Sequence, residues 1–207
     1  MKLAVISDLH DNLTNLDKCL GWCSSNGMEA LMFAGDLTNK DTLDYLAKKF
    51  SGSIYLVRGN ACNYDEGLLK NYSKITYLTR AGGVTEVGGR SIGLCHEPDL
   101  IDNLLKQKPE IIFYGHTHKP WSSYAPYNTA TLEKQKAPAS PARLAQASAE
   151  RAGGSEDKDE IKSGVRLVNP GTLGGMFQKA TFAVYDTASN EPELKILETL
   201  FTPLDNR

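Results

Sequence analysis

The N-terminal part of the chain repeats one pattern, in which a short apolar run ends at a polar residue and an amphipathic segment follows. The apolar runs are residues 3–6, 30–34 and 54–57. Between them, residues 13–23 and 42–50 carry apolar side chains at helical spacing. Alternation of this kind predicts parallel βαβ units with right-handed crossovers, which constrains the fold more than any other feature of the sequence.

The rest of the sequence predicts a second sheet with more antiparallel pairing. Residues 84–87 and 91–95 flank Gly88-Gly89, which is typical of a hairpin. A short helix is expected at 100–105, and the further predicted strands are residues 111–114, 165–168, 181–185 and 194–197. We therefore predict an α/β fold with mixed sheets, arranged as a four-layer α/β/β/α sandwich. A length of 207 residues suits one domain over residues 1–207.

Residues 129–163 interrupt this pattern. They are rich in Ala, Ser, Lys and Glu, and large apolar residues are almost absent. Such a segment buries too little apolar surface to offset its ordering entropy, so we predict a low-complexity, flexible insertion within the domain. A helix over residues 141–152 and a partner-binding role for the insertion are the alternatives.

Charge and hydropathy exclude several classes of protein. The formal net charge is −2, which gives no overall attraction to nucleic acid or to an anionic membrane. Asp8 follows only four consecutive apolar residues, too few for a signal peptide, and no run reaches the roughly 18 apolar residues of a membrane span. The four cysteines show neither a zinc-ribbon pattern nor a disulfide framework. We expect a cytoplasmic protein with no membrane partner.

Residues that bind metals follow several of the predicted strands. Asp8 and His10 come after the first strand, Asp36 after the second and Asn60 after the third. A later strand ends in Gly115-His116-Thr117-His118. The carboxyl ends of strands in an open parallel sheet line one crevice, where ligands bind. In extended chain, residues two apart point the same way, so Asp8 and His10 are expected to face one ion.

The placement of the histidines strengthens this interpretation. The chain has four histidines, and all of them follow predicted strands: His10, His96, His116 and His118. A single histidine is more often structural than a ligand, but this concentration beside Asp8, Asp36 and Asn60 is hard to explain by packing. Imidazole and carboxylate without thiolate suit Mn, Fe, Ni or Zn better than calcium or an iron–sulfur cluster. Seven donors are too many for one tetrahedral ion and fit two, with one carboxylate bridging.

The order of these motifs resembles the calcineurin-like metallophosphoesterase superfamily. The resemblance rests on Asp8-x-His10, Gly35-Asp36, Gly59-Asn60, the isolated His96 and Gly115-His116-x-His118. It covers residues 1 to about 127 and resumes at Asn169-Pro170-Gly171-Thr172, which is similar to the Asn-Pro-Gly-Ser turn of the family. The early His96 and the short chain resemble the small bacterial and archaeal phosphodiesterases, a subfamily that also contains the retromer subunit with this fold.

The resemblance implies a hydrolase of phosphoric esters, most specifically a phosphodiesterase, with two divalent metal ions. Mn is the first expectation, and Ni, Fe, Co, Zn or Mg are alternatives. A hydroxide shared by the two ions would attack phosphorus in line with the leaving group. The first ion would be held by Asp8, His10, Asp36 and His118. The second would be held by the four residues to which we also assign catalytic roles, namely Asp36, Asn60, His96 and His116.

Two departures from the family pattern concern proton transfer and substrate charge. Ala61-Cys62-Asn63 follows Asn60 where relatives often place an acid, so leaving-group protonation would pass to water or to Asp65. Glu97 follows His96 where relatives usually have glycine. Its carboxylate would repel an anionic substrate unless it points to solvent or pairs with a cation such as Arg58.

Two other functions stay open from the sequence. One is a non-catalytic protein-binding scaffold on the same fold, whose expected signature would be damaged ligands. The other is a nuclease, which the absence of a basic stripe and of a second domain disfavours, so no long nucleic acid is expected as partner. The expected substrate is a small-molecule or nucleotide-like phosphate ester, and a homo-oligomer stays open.

Overall fold

The computed structural model describes residues 1–127 and 164–201. A six-stranded mixed sheet contains the N-terminal βαβ units, with strand order β11-β10-β1-β2-β3-β4. Four strands run parallel to one another, and β10 and β11 extend the sheet with antiparallel pairs. The strands are β1 (Lys2–Ile6), β2 (Ala30–Phe33), β3 (Ser53–Leu56), β4 (Ile75–Tyr77), β10 (Thr181–Asp186) and β11 (Glu191–Ile196).

A five-stranded mixed sheet has the order β5-β6-β7-β9-β8. Its central pairs, β6 with β7 and β7 with β9, are parallel, and its edge pairs are antiparallel. The strands are β5 (Gly83–Val87), β6 (Arg90–Leu94), β7 (Ile111–Phe113), β8 (Trp121–Pro126) and β9 (Gly164–Asn169). The Gly88-Gly89 hairpin turn is confirmed, because Val87 pairs with Arg90.

Three apolar clusters arrange the two sheets and the helices in four layers. Helices α1 (Leu13–Ser25) and α2 (Lys40–Lys49) pack on the outer face of the first sheet through residues such as Leu16 and Leu43. Leu3 and Met32 meet Ile92 and Phe113 between the sheets. Helix α3 (Ile101–Leu105) covers the outer face of the second sheet. The predicted α/β fold with mixed sheets and four layers is therefore confirmed.

Among the described residues, the elements that the sequence did not predict include β4, β8 and two 3₁₀ helices, Glu66–Asn71 and Leu197–Leu200. A further 3₁₀ turn, Pro98–Leu100, precedes α3. The predicted insertion at 129–163, with its alternative helix at 141–152, lies outside the described residues. Within the two described segments, no helix is long and apolar enough to cross a membrane. The cytoplasmic location stays a prediction, and all four cysteines are free thiols.

Candidate metal centre

The seven predicted ligands all lie in loops that follow parallel strands. In the first sheet Ile6, Phe33 and Leu56 are in register, so the loops after β1, β2 and β3 start at one edge. In the second sheet Leu94 is in register with Phe113, and the loops after β6 and β7 also start together. The structure brings the seven side chains together at this edge: Asp8, His10, Asp36, Asn60, His96, His116 and His118.

Asp8, His10 and His118 form one group that could hold a metal ion, with their ligand atoms within 4.8 Å of one another. His118 Nε2 lies 3.2 Å from Asp8 Oδ1 and 3.2 Å from His10 Nε2. Asp8 is fully buried, whereas the two imidazoles are about one-fifth exposed. The carboxylate is therefore the innermost ligand of this group.

A second group includes Asp36, Asn60, His96 and His116. Asn60 Oδ1 lies 2.9 Å from both His96 Nε2 and His116 Nδ1, and Asp36 Oδ2 lies 3.4 Å from His96 Nε2. The same Asp36 oxygen lies 3.8 Å from His10 Nε2 in the first group. Asp36 therefore stands between the two groups, where a bridging ligand would have to be. Asn60 and His116 are exposed, which leaves this side open to solvent.

The backbone at the site departs from what the sequence suggested. Asp8 and His10 are not extended, because both have left-handed backbone angles, with φ of 51° and 46°. Asp36, His116 and His118 share this conformation, with φ of 58°, 70° and 59°. Asp8 and His10 thus face the same point through sharp turns rather than through the alternation of a strand. Left-handed non-glycine residues are uncommon, and they concentrate at functional sites where the surrounding structure holds them in place.

Asp36 is held from the Gly59–Ala61 loop. The backbone N–H of Ala61 donates a hydrogen bond of 2.7 Å to Asp36 Oδ1, which leaves Oδ2 free to face the histidines. A β-carbon added at Gly59 would lie 1.9 Å from Asp36 Oδ1 and 2.4 Å from the Asp36 backbone nitrogen. Glycine is required at position 59 because the two loops touch there.

The Asn169–Gly174 turn joins the two halves of the site. Asn169 is buried, and its Nδ2 donates to Gly115 O at 2.8 Å and to Thr117 Oγ1 at 3.1 Å. Thr172 Oγ1 donates to Asp8 O at 2.8 Å. The turn therefore fixes the loop of His116 and His118 relative to the loop of Asp8. The sequence showed the motif only by resemblance, since these hydrogen bonds depend on long-range packing.

Burial and charge act against each other at the buried carboxylates. Burial raises the pKa of Asp8, although Ser7, His96 and His118 act to lower it. Burial also acts to raise the pKa of Asp36, but the hydrogen bond and charge of His96 and the Ala61 N–H outweigh it, so that pKa is lowered. Burial acts to lower the pKa of His96, and Asp36 reverses this and raises it. The charged form is thus favoured at Asp36, whereas burial disfavours it at Asp8.

The donor atoms fit a divalent cation. Asp8 Oδ1 is a buried oxygen without a hydrogen-bond partner, because its contact with His118 lacks hydrogen-bond geometry. His96 Nδ1 lies 2.7 Å from Ala34 O, which can only accept, so the neutral ring carries its lone pair on Nε2. That lone pair faces the oxygens of Asn60 and Asp36. Acceptors that converge on one another are stable when a cation lies between them.

Asp65, considered for proton transfer, and Arg58, considered as a partner of Glu97, are both engaged in other contacts. Asp65 Oδ1 accepts a hydrogen bond of 2.7 Å from Gly67 N and caps the 3₁₀ helix that begins at Glu66. Arg58 donates to Glu66 Oε1 at 3.0 Å and to Cys62 O at 2.9 Å, so the alternative in which it pairs with Glu97 is not seen. Glu97 instead lies at the start of the Pro98–Leu100 turn.

The sequence analysis missed Asp11, which follows His10 with a left-handed backbone, φ 58°. Its Oδ1 accepts hydrogen bonds from Asn39 N at 3.1 Å and from Thr42 Oγ1 at 2.6 Å. Asp11 thereby ties the His10 loop to the start of α2. The only signal in the sequence was its position beside two candidate ligands.

Comparisons with known proteins agree with the fold and the motifs. The sequence profile of the calcineurin-like phosphoesterase superfamily domain matches residues 1–190. A search of curated protein sequences finds no match. Similar solved structures include an archaeal phosphodiesterase, at 17% identity over 95% of this chain and 99% of that chain, with a TM-score of 0.68.

Two further solved structures share the fold at lower TM-scores. Vps29 from Chaetomium thermophilum is 17% identical over 94% of this chain and 95% of that chain, with a TM-score of 0.55. The phosphoesterase YfcE from E. coli is 16% identical over 95% of this chain and 100% of that chain, with a TM-score of 0.53. At these identities the likeness shows the fold alone.

Proposed function

Since the chain belongs to the calcineurin-like phosphoesterase superfamily, we propose that it is a metal-dependent phosphodiesterase that hydrolyses a small or nucleotide-like phosphate ester. The observation that carries the proposal is the convergence of two donor groups on Asp36. One contains Asp8, His10 and His118, and the other contains Asn60, His96 and His116.

In this proposal the seven residues would hold two divalent ions, Mn first among them, and Asp36 would be the ligand shared by both. Such a pair supplies Lewis-acid activation of water and neutralises charge that develops on the phosphoryl oxygens. The protein's own contribution is orientation. Ala61 N–H and Ser7 Oγ–H direct the Asp36 and Asp8 carboxylates, and Ala34 O directs the His96 ring.

We expect the ester to bind on the side of Asn60 and His116. Both are exposed, whereas Asp8, Asp36 and His96 are buried beneath them. A phosphoryl group approaching from solvent would meet His116 and Asn60 first. The nitrogen of each side chain that does not bind a metal, Asn60 Nδ2 and one ring nitrogen of His116, would then be able to donate to the phosphoryl oxygens. The leaving group would be protonated by water, because Asp65 is engaged in capping.

The scaffold alternative draws on the similarity to Vps29, which extends to the fold alone. A scaffold that had lost catalysis would not need to keep its metal-ligand side chains close together. In this protein all seven are present and converge. A long nucleic acid as substrate is disfavoured by the net charge of −2. These features support a catalyst for small esters.

The test is hydrolysis of bis(p-nitrophenyl) phosphate by metal-stripped protein on addition of Mn²⁺. We expect turnover that depends on Mn²⁺ and falls by about a hundredfold or more in His116→Ala. Glu86→Ala, an exposed change on β5, is the matched control and should keep wild-type activity. Absence of turnover with Mn, Ni, Co and Mg would refute the proposal and favour the scaffold.

A further inference from the structure

One aromatic side chain, in the loop that follows the Asn169–Gly174 turn, has almost no contact with the protein. The side chain of Phe177 is 94% exposed, whereas the other exposed large hydrophobic residues of the described segments are 36–50% exposed. Its backbone is also left-handed, with φ of 60°, which is a strained conformation for a bulky residue. Both the solvent exposure of the phenyl ring and the left-handed backbone of Phe177 are energetically unfavourable.

The loop that carries Phe177, residues 174–179, begins on the backbone of the metal centre. Gly174 N donates to Asp8 O at 3.0 Å, and Asn12 Nδ2 donates to Gly174 O at 2.9 Å. Phe177 is three residues further along, so its Cα lies within about 11 Å of Gly174, the length of fully extended chain. The loop that carries the ring therefore starts at the backbone of a predicted metal ligand.

The loop also ends at the edge that carries the metal ligands. Strand β10 runs antiparallel to β1, with Ala183 opposite Val5, so Thr181 lies at the carboxyl end of β1. Thr181 N donates to Thr172 O at 2.9 Å, and Thr181 Oγ1 donates to Pro170 O at 2.8 Å. These bonds close the base of the loop, so both ends of the segment that carries Phe177 are anchored at the edge with the predicted metal ligands.

We propose that Phe177 is a specificity-determining residue that stacks on an aromatic ring of the phosphate ester, in the ester group that is retained after hydrolysis. This inference rests on the proposed function. A planar ring would bury the phenyl surface that is now in water, and aromatic stacking needs no further polar group on the protein. Met176, which is 43% exposed beside it, would extend the apolar contact.

The kinetic test compares two esters with the same p-nitrophenolate leaving group. One is bis(p-nitrophenyl) phosphate, which retains an aromatic group, and the other is methyl p-nitrophenyl phosphate, which does not. For Phe177→Ala we expect the ratio of kcat/KM for the two esters to fall by about five- to tenfold, mainly through KM for the aromatic ester. Phe177→Tyr should keep the wild-type ratio.

Two controls separate the ring from the shape of the loop. Phe177→Asn removes the ring but suits a left-handed backbone, so it should lose the aromatic preference as Phe177→Ala does. Leu194→Ala removes an exposed apolar side chain from the edge strand β11 and should change nothing. A wild-type ratio in Phe177→Asn would assign the effect to the loop conformation and overturn the inference.

A binding measurement gives a readout without turnover. Calorimetry should show that phenylphosphonate binds the Mn²⁺-loaded Phe177→Ala protein about fivefold more weakly than wild type, with methylphosphonate unchanged. Turnover of both esters with an unchanged ratio in Phe177→Ala would overturn this inference alone. Failure of the wild type to hydrolyse either ester would overturn the proposed function and this inference with it.

Discussion

Asp8 Oδ1 and His118 Nε2 lie 3.2 Å apart without hydrogen-bond geometry, and the carboxylate oxygen is buried without a hydrogen-bond partner. The other Asp8 oxygen is fully engaged, since it accepts from Ser7 Oγ at 2.7 Å and from His116 N at 3.0 Å. One oxygen thus orients the side chain, and the other is available to bind a cation. This division of roles leads to the predictions below.

Divalent metal should stabilise the protein, because the cation offsets the burial of Asp8 and Asp36. At a free Mn²⁺ concentration a hundred times the dissociation constant, the gain is about 2.7 kcal/mol. For a domain of this size that raises Tm by about 5–10 °C. Differential scanning fluorimetry of EDTA-treated protein, with and without Mn²⁺, measures the shift. An unchanged Tm in millimolar Mn²⁺ would count against the site.

Asp8→Asn should separate stability from metal binding. The amide oxygen can still accept from Ser7 and His116, while the buried negative charge is removed. We expect a metal-free Tm equal to or above that of the wild type, and a loss of at least tenfold in Mn²⁺ affinity. Thermal melts and metal titration test the two parts. Wild-type affinity in Asp8→Asn would show that this oxygen is not a ligand.

Gly59→Ala should damage the site through Asp36. The new methyl group would lie 2.4 Å from the Asp36 backbone nitrogen, so the loop itself has to move. We expect kcat/KM for bis(p-nitrophenyl) phosphate to fall by about a hundredfold, because small displacements of ligands have large effects. Gly21→Ala is the control, since a β-carbon there meets nothing within 4 Å on helix α1. It should keep full activity and stabilise the protein by about 0.5–1 kcal/mol.

Asn169→Ala should weaken both folding and the His116–His118 loop. It removes the donor to Gly115 O and Thr117 Oγ1 and the acceptor for Gly171 N. Buried groups left without partners lower the free energy of unfolding by about 2–4 kcal/mol. Urea denaturation measures this loss, and metal titration should show weaker binding. A change below about 0.5 kcal/mol would mean that the turn is held by other contacts.

Asp11→Ala should lower activity with little effect on stability. The carboxylate ties His10 to α2 through Asn39 N and Thr42 Oγ1. We expect kcat/KM to fall about tenfold with a small change in Tm, because the His10 loop loses its anchor. Asp41→Ala, an exposed residue in the first turn of α2, is the matched control for charge and should leave kcat/KM unchanged.

The parts of the fold that the sequence predicted are those with strong local periodicity. The βαβ alternation of residues 3–57 placed Asp8, Asp36 and Asn60 at one sheet edge, because parallel strands share that edge. Strand β4 has only three residues and β8 has two serines between its aromatic residues, so neither shows a clear pattern. Local patterns are weak signals for such short or edge strands.

The details of the site could not be predicted for a different reason. The left-handed backbone of Asp8 and His10 is stabilised by contacts with loops distant in sequence, such as the bond from Leu9 N to Asp36 O. The start of the loop that carries Phe177 likewise depends on a long-range bond, from Gly174 N to Asp8 O. Neither of these long-range contacts produces a periodic pattern of residues that could be recognised in the sequence.

The central claim is that two divalent ions lie on either side of Asp36. A crystal of the Mn²⁺-loaded protein, measured at the manganese absorption edge, tests it directly by anomalous scattering. The account predicts two anomalous peaks about 3.5–4 Å apart, one beside Asp8, His10 and His118 and the other beside Asn60, His96 and His116. A map with no peak at Asp36, or with metal only elsewhere on the protein, would contradict it.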